Sequence, residues 1–222
     1  MNLHIPSLLK PEELNDIRNL ITKSEFIDGR STAGASARSV KNNFQLDGTN
    51  KNTEEIQRTI TNAITDSPLI QQAILPAKIR TPLISKYEEG MSYGWHVDSP
   101  LMDTEKVRTD LAMTLFLNDP ATYEGGELIL NTNSGQIPYK LPAGDAIIYP
   151  AIQVHGVAEV RRGERVVAVT WLQSAIRNND QRELLFNLSQ VQAMLNQQDP
   201  NAQHATLLMQ CYSNLIRMWA EV

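Results

Sequence analysis

His96 and Asp98 stand two residues apart in Tyr87-Glu88-Glu89-Gly90-Met91-Ser92-Tyr93-Gly94-Trp95-His96-Val97-Asp98, among glycine and aromatic residues. On an extended chain, residues i and i+2 face the same side. An imidazole and a carboxylate so placed can ligate one metal ion, or simply hydrogen-bond to each other. A third ligand decides between these, and the chain has four histidines. His4 lies near a terminus expected to be mobile. His204 sits between Gln203 and Ala205, where a solvated helix position is expected. His155 differs: it follows the apolar run Ala146-Ile147-Ile148-Tyr149-Pro150 and opens a candidate strand. Two histidines and one carboxylate on one face of a metal leave the opposite positions open. That set suits Fe(II) chemistry with oxygen, and it can equally hold zinc with a bound water.

Ten residues after His155 comes Arg165, behind an expected hairpin turn at Arg161-Arg162-Gly163. It opens the strand Arg-Val-Val-Ala-Val-Thr-Trp. Pointing inward, it would be a buried cation in an apolar barrel, which is costly unless paired. A bound carboxylate would match its planar fork; an ordinary ion pair to Glu159 across the turn is the alternative.

The elements that must position these residues fall into three regions. Residues 1 to about 75 read as helical with intervening loops. Pro11-Glu12-Glu13 opens one helix, with Leu14, Ile17 and Ile21 on one face. Asn52-Thr53-Glu54-Glu55 starts another, with the stripe Ile56, Ile60 and Ile64. Between them, residues 31–50 read as a loop with some extended segments. Residues 76–177 contain short β-branched and aromatic runs divided by glycine and proline turns. Candidate strands are Lys78–Tyr87, Tyr93–Val97, Thr109–Leu117, Glu127–Leu130, Gln136–Leu141, Ala146–Tyr149, Val154–Val160 and Arg165–Gln173. Such a series predicts a β-sandwich or jelly roll. Residues 178–222 return to helix, with stripes Leu184, Leu188, Val191, Leu195 and then Leu207, Leu208, Cys211, Leu215, Trp219 around the break Asp199-Pro200-Asn201. This predicts an antiparallel αα-hairpin packed on the sheet or on another subunit.

Composition excludes several classes. With 222 residues, 41% apolar and 20% charged, the chain suits one sizeable core with a small appendage. Its net charge of −5 argues against nucleic-acid binding through a general basic surface. One cysteine, Cys211, allows neither an intrachain disulfide nor a cysteine-rich zinc site. Met-Asn-Leu-His-Ile-Pro has no signal-peptide pattern and no run is apolar enough to span a membrane, so a cytoplasmic protein without membrane partners is expected.

Two patterns taken together resemble a known family. Y-x-x-G-x-x-Y-x-x-H-x-D is carried by Tyr87, Gly90, Tyr93, His96 and Asp98, and H-x7-G-x-R by His155, Gly163 and Arg165. They are similar to those of the Fe(II)- and 2-oxoglutarate-dependent dioxygenases, in the prolyl 4-hydroxylase-like branch. Further stretches resemble the bacterial PKHD-type hydroxylases: Arg108-Thr109-Asp110-Leu111, Thr114-Leu115-Phe116-Leu117-Asn118, Tyr123-Glu124-Gly125-Gly126-Glu127-Leu128 and Val40-Lys41-Asn42-Asn43-Phe44-Gln45-Leu46. The C-terminal hairpin is similar to the small extra domain of that group, so the likeness covers almost the whole chain.

The resemblance implies an α+β protein: a double-stranded β-helix (jelly roll) core with N-terminal helices and a C-terminal αα-hairpin. Residues 1–177 would form the dioxygenase domain and 178–222 a small helical domain. It implies that His96, Asp98 and His155 bind Fe(II), that Arg165 pairs with the distal carboxylate of 2-oxoglutarate, and that Tyr87 helps hold it. It also implies L-ascorbate as the reductant that rescues oxidised iron. Because the carboxylate ligand is present as Asp98, hydroxylation with release of succinate and CO2 is the implied reaction. The substrate, a small molecule or a peptide, is not given by any residue. Lys41, Asn42, Asn43 and Arg108 can face the pocket mouth; equally, the asparagines can build a turn and Arg108 can pair with Asp110 or Asp103. Trp171 can wall the pocket or pack in the core. Other readings of the same residues are a zinc hydrolase on the same triad and a non-catalytic jelly-roll sensor of iron or a small acid. The apolar C-terminal stripes make a homo-oligomer plausible.

Overall fold

A computed structural model describes residues 1–32, 38–102, 106–199 and 202–221. Two antiparallel sheets dominate it. The larger runs in the order Leu3–Ile5, Ala146–Pro150, Leu111–Phe116, Arg165–Ser174, Leu83–Tyr87, Phe44–Leu46, Phe26–Asp28, with Pro76–Ile79 also pairing with Arg165–Ser174. The smaller runs Gly135–Tyr139, Leu128–Thr132, His155–Val157, Ser92–His96, Lys41–Asn42.

Side-chain alternation along the larger sheet sends residues to two different cores. Leu111, Met113 and Leu115 join Ala146, Ile148, Ala168 and Leu172 against the helices. Those helices are Pro11–Ile21, Lys51–Asp66 and Pro68–Ile74. Ala112, Phe116, Ile147, Tyr149 and Val167 face the other way and meet Leu128 and Leu130 of the smaller sheet. Because both faces of Leu111–Phe116 are covered, all six of its residues are buried. The strand Arg165–Ser174 obeys the same rule: Arg165, Val169 and Trp171 line the space between the sheets, on the face that carries Val167.

The helices form where the pattern requires. Pro11 occupies the first turn beside Glu12 and Glu13, and Leu14 and Ile17 are buried while Ile21 is half-buried. The second helix begins one residue before the expected start, because the Asn50 side chain accepts from the Asn52 N–H and caps it. Ile56, Ile60 and Ile64 are fully buried. The short helix Pro68–Ile74, absent from the periodicity reading, is capped by Ser67 and starts on proline.

Several expectations are corrected. Lys78–Tyr87 is two strands, because Pro82 interrupts the ladder and its carbonyl instead accepts from the Gln57 amide. Val154–Val160 also divides, into His155–Val157 and Val160–Arg162, with an irregular register at Gly156. The extended segments expected in the loop over residues 31–50 are the strands Lys41–Asn42 and Phe44–Leu46; its residues 33–37 lie outside those described, as does Asp103. His4 is not at a loose end: it pairs within the strand Leu3–Ile5 and lies 2.7 Å from the Asp145 carboxylate.

The C-terminal helices Asn179–Gln198 and Gln203–Trp219 pack on each other. Their buried positions differ from the expected stripes. Leu184, Val191 and Leu207 are 47%, 45% and 57% exposed, whereas Leu185, Arg182 and Ala205 are buried. Leu185 and its half-buried neighbour Phe186 lie in the first turns of a helix that packs on both Pro68–Ile74 and its partner helix. Cys211 is exposed and free. Among the described residues, no helix is long and apolar enough to cross a membrane.

Candidate metal centre and cosubstrate pocket

The smaller sheet brings the two histidines face to face. His155 pairs directly with His96 across the ladder, with ring centroids 4.3 Å apart. Gly156 allows this: a Cβ on it would stand 2.9 Å from the Tyr93 carbonyl oxygen, so only glycine lets the two strands approach. The strand Ser92–His96 ends at His96, and Asp98 follows just beyond it. Asp98 nevertheless turns inward, and the donor atoms of His96, Asp98 and His155 all lie within 4.8 Å of one another.

Hydrogen bonds fix which imidazole nitrogens face the centre. His96 Nδ1 lies 2.8 Å from the Gly94 carbonyl oxygen and His155 Nδ1 lies 2.9 Å from that of Gln153. A carbonyl only accepts, so each Nδ1 carries the proton and donates. Each Nε2 is left with its lone pair for a metal. Tyr93 stacks on His96 at 3.7 Å and Tyr149 meets His155 edge-on at 5.2 Å, which holds both rings.

Among the described residues the hydrogen bond of His96 is to the Gly94 carbonyl and not to Asp98. Asp98 Oδ2 is also 3.8 Å from His155 Nε2, too far for a hydrogen bond. That oxygen is buried with no hydrogen-bond partner. A metal at about 2.0–2.2 Å from each donor fits such a gap. Burial pushes the Asp98 carboxyl up, while His155 and the Trp171 indole pull it back down. His96 is pushed down to about 4, first by burial and then by the charge of His155. It is therefore neutral near pH 7, as a ligand must be.

Arg165 lines the same cavity. It is 1% exposed, and its Nε has no hydrogen-bond partner. Its guanidinium sits 5.0 Å from the Tyr87 ring and 5.7 Å from that of Phe116. The expected alternative, an ion pair to Glu159, does not form; among the described residues no carboxylate ion-pairs with Arg165. Burial pushes its pKa down, and surrounding tyrosines and the more distant Glu127 oppose that. Tyr87 pairs with Arg165 across the ladder and is itself 4% exposed. Burial pushes the Tyr87 hydroxyl up, so it stays a donor.

The cavity has a volume of about 490 Å³, within the usual range for small-molecule sites. It contains the triad, Arg165 and Tyr87 together. Trp171 both lines it and packs on the core between the sheets, with Arg80 over its ring at 5.3 Å. Arg108 lies elsewhere: it forks onto Asp110 and reaches Glu221 at 2.7 Å, so its ion-pair reading is the one that forms. Asn42 is exposed, but Lys41 and Asn43 are buried and line the cavity, against the turn reading. Sequence reasoning missed Tyr149 and Thr114 as lining residues; the alternation in the two central strands carried that signal.

Comparison with known proteins places this geometry in a family. The model of the 2OG-Fe(II) oxygenase superfamily matches residues 82–173, and that of the PKHD-type hydroxylase C-terminal domain matches residues 179–221. A PKHD-type hydroxylase of Synechococcus sp. (strain JA-2-3B'a(2-13)) is 44% identical over 224 residues, covering all of both chains. PKHD-type hydroxylase YbiX of Escherichia coli (strain 55989 / EAEC) is 38% identical over 225 residues, again covering both chains fully. Among solved structures, a Pseudomonas putida prolyl-4-hydroxylase shares the fold at TM-score 0.54 and 16% identity, covering 78% of this chain and 92% of its own. A prolyl hydroxylase of Trichoplax adhaerens does so at 0.59 and 14%, covering 77% and 82%. The chain is an oxygenase of the Fe(II)- and 2-oxoglutarate-dependent kind, and it belongs to the PKHD-type hydroxylases.

Proposed function

We propose that His96, Asp98 and His155 hold the Fe(II) and that Arg165, with Tyr87, holds the distal carboxylate of 2-oxoglutarate, for hydroxylation of a small-molecule or peptide substrate. One observation carries the assignment. A cavity lined both by three converging donors and by a buried guanidinium with an orphaned Nε matches a ligand that carries a chelating group and a separate anionic group. Iron and 2-oxoglutarate, when bound, supply the oxygen-activating chemistry that yields succinate, CO2 and hydroxylated product. The chain's own residues do the rest. Gly94 and Gln153 orient the imidazoles, Tyr93 and Tyr149 brace them, and Tyr87 and Phe116 flank the guanidinium. Apolar walls from both sheets, among them Leu128 and Val169, exclude water.

The strand order supports a double-stranded β-helix. Within the larger sheet, Leu83–Tyr87, Arg165–Ser174, Leu111–Phe116 and Ala146–Pro150 are neighbours in that order; the smaller sheet takes the strands that alternate with them along the chain. The gap between the two family matches supports a division into a dioxygenase domain, 1–177, and a C-terminal αα-hairpin domain, 178–222. Ascorbate as a reductant follows from the family chemistry. Met194, Leu207 and Met218, at 63%, 57% and 73% exposure, support self-association through the helices. The acidic net charge of −5 favours a partner other than nucleic acid.

Anaerobic titration of metal-free protein with Fe(II), then 2-oxoglutarate, tests the assignment by visible absorption. A weak charge-transfer band requiring both components is expected in the wild type and absent in Asp98→Ala. Iron bound without such a band would remove the cosubstrate assignment.

A further inference from the structure

The three metal ligands differ in how their backbone is held. His96 belongs to the strand Ser92–His96 and His155 to His155–Val157, and the ladder between the two strands fixes both. Asp98 has no such support, because residues 97–99 belong to no strand or helix. The Trp171 indole stands beside its carboxyl, but a ligand whose backbone is loose must still be ordered when the metal binds, and that ordering weakens binding.

Thr109 provides the missing hold. It is 6% exposed and does not line the cavity. Its hydroxyl donates to the Ser99 carbonyl at 2.6 Å, and its N–H donates to the Pro100 carbonyl at 3.1 Å. Ser99 and Pro100 are the two residues that follow Asp98. One residue thus grips two successive carbonyls where no sheet does. Thr109 is itself anchored from both sides. The Arg108 N–H donates to Gln173 Oε1 at 3.1 Å, and Arg108 Nη2 donates to the Ser174 carbonyl at 3.0 Å. The Asp110 carboxylate accepts from Arg108 at 2.7 and 3.0 Å and from the Ser174 N–H at 2.9 Å. The Asp110 carbonyl accepts from the Ala151 N–H at 3.1 Å. The grip on the Asp98 segment is therefore referred to the end of Arg165–Ser174, the long strand at the middle of the larger sheet.

We propose that Thr109 is a positioning residue for the metal centre: it fixes the backbone at Ser99 and Pro100 so that the Asp98 carboxylate is presented beside His96 and His155 before the metal arrives. This rests on the Fe(II) assignment above. Thr109 acts only through Asp98, since its own hydroxyl is committed to the Ser99 carbonyl.

The test measures Fe(II) affinity of the full chain, anaerobically, by competition with a chromophoric chelator. Asp98→Ala comes first. If it binds Fe(II) as tightly as wild type, the function assignment fails, and this inference with it. If it binds more weakly, the assignment stands and Thr109 is tested by itself. Thr109→Val, close in shape but without the hydroxyl, should bind Fe(II) about tenfold more weakly, and Thr109→Ser should restore wild-type affinity. Placed on Asp98→Ala, Thr109→Val should weaken binding no further. A purely structural threonine would lower the melting temperature and leave the affinity of the folded variant unchanged; that result overturns the proposal. So does an equal loss of affinity in the Asp98→Ala background. A measurement on the wild type covers a Thr109→Val chain that does not fold. With Zn(II) as the diamagnetic probe, hydrogen exchange of the Thr109 amide, followed by NMR, should slow about tenfold in wild type and not in Asp98→Ala. Exchange at that amide that Zn(II) leaves unmoved in wild type overturns the proposal as well.

Discussion

Arg165, under the proposed assignment, combines a cost in stability with a role in binding. A guanidinium at 1% exposure with an orphaned Nε carries a desolvation cost that no ion pair offsets among the described residues. Replacing it with a similarly long apolar side chain removes that cost. Arg165→Met is therefore expected to unfold at the same or a higher temperature than wild type without ligands. It should bind 2-oxoglutarate about 10- to 100-fold more weakly, the loss of one or two charge-assisted hydrogen bonds. Calorimetry and a binding titration on one sample check both, and unchanged affinity would point to another cation. Lys41 carries a related cost with a pH signature. Burial, followed by Arg80, lowers its pKa from 10.5 to about 8. The folded chain releases this proton before the unfolded chain does. Its cost, about 3 kcal/mol, is fully present below pH 8 and fades as pH rises toward 10.5. The stability of Lys41→Met should exceed that of wild type by an amount of this order at pH 7, and the gap should close by pH 10.5 in denaturant titrations. A gap independent of pH would mean that Lys41 is not held as a buried cation.

At the scale of elements, the centre depends on two strands meeting more closely than side chains allow. Gly156 lies between His155 and Val157, against the Tyr93 carbonyl. Gly156→Ala would push His155–Val157 off Ser92–His96 while leaving every ligand in the sequence. Iron affinity is expected to fall about tenfold or more, comparable to losing a group that orients a ligand, with the far-ultraviolet circular dichroism kept. Wild-type iron affinity in this variant would show that the ligands do not rely on that strand contact. The same scale explains the errors in the sequence reading of strands. Pro82 and the irregular register at Gly156 cut runs that look continuous by β-propensity alone. Asn50 and Ser67 are short polar caps whose effect appears only when the backbone N–H they receive is known.

For the whole molecule, the question is what joins the C-terminal helices to the sheets. The ion pair from Arg108 to Glu221 is half in solvent on the Glu221 side and contributes at most about 1 kcal/mol. Leu185, fully buried in the helix that packs on Pro68–Ile74, outweighs it. Leu185→Ala should cost about 2–5 kcal/mol, lowering the melting temperature by roughly 5–15 °C in one cooperative transition. Two separate transitions would instead mean that the helical unit folds on its own.

Sequence by itself singled out the His-Asp-His cluster, the cation Arg165, the two periodic helices and the succession of short strands. These are local facts: a spacing of two on an extended chain, a 3.6-residue stripe, a turn at Gly163. Tertiary structure decided what depends on distance across the fold. It sets His155 opposite His96, leaves Asp98 Oδ2 and Arg165 Nε without partners, and turns Lys41 and Asn43 into the cavity. It also selects Leu185 rather than Leu184 as the buried face of the C-terminal helix. The reason is physical: periodicity tells which residues share a side, but only the neighbouring element determines which side is buried and which buried polar atom lacks a partner.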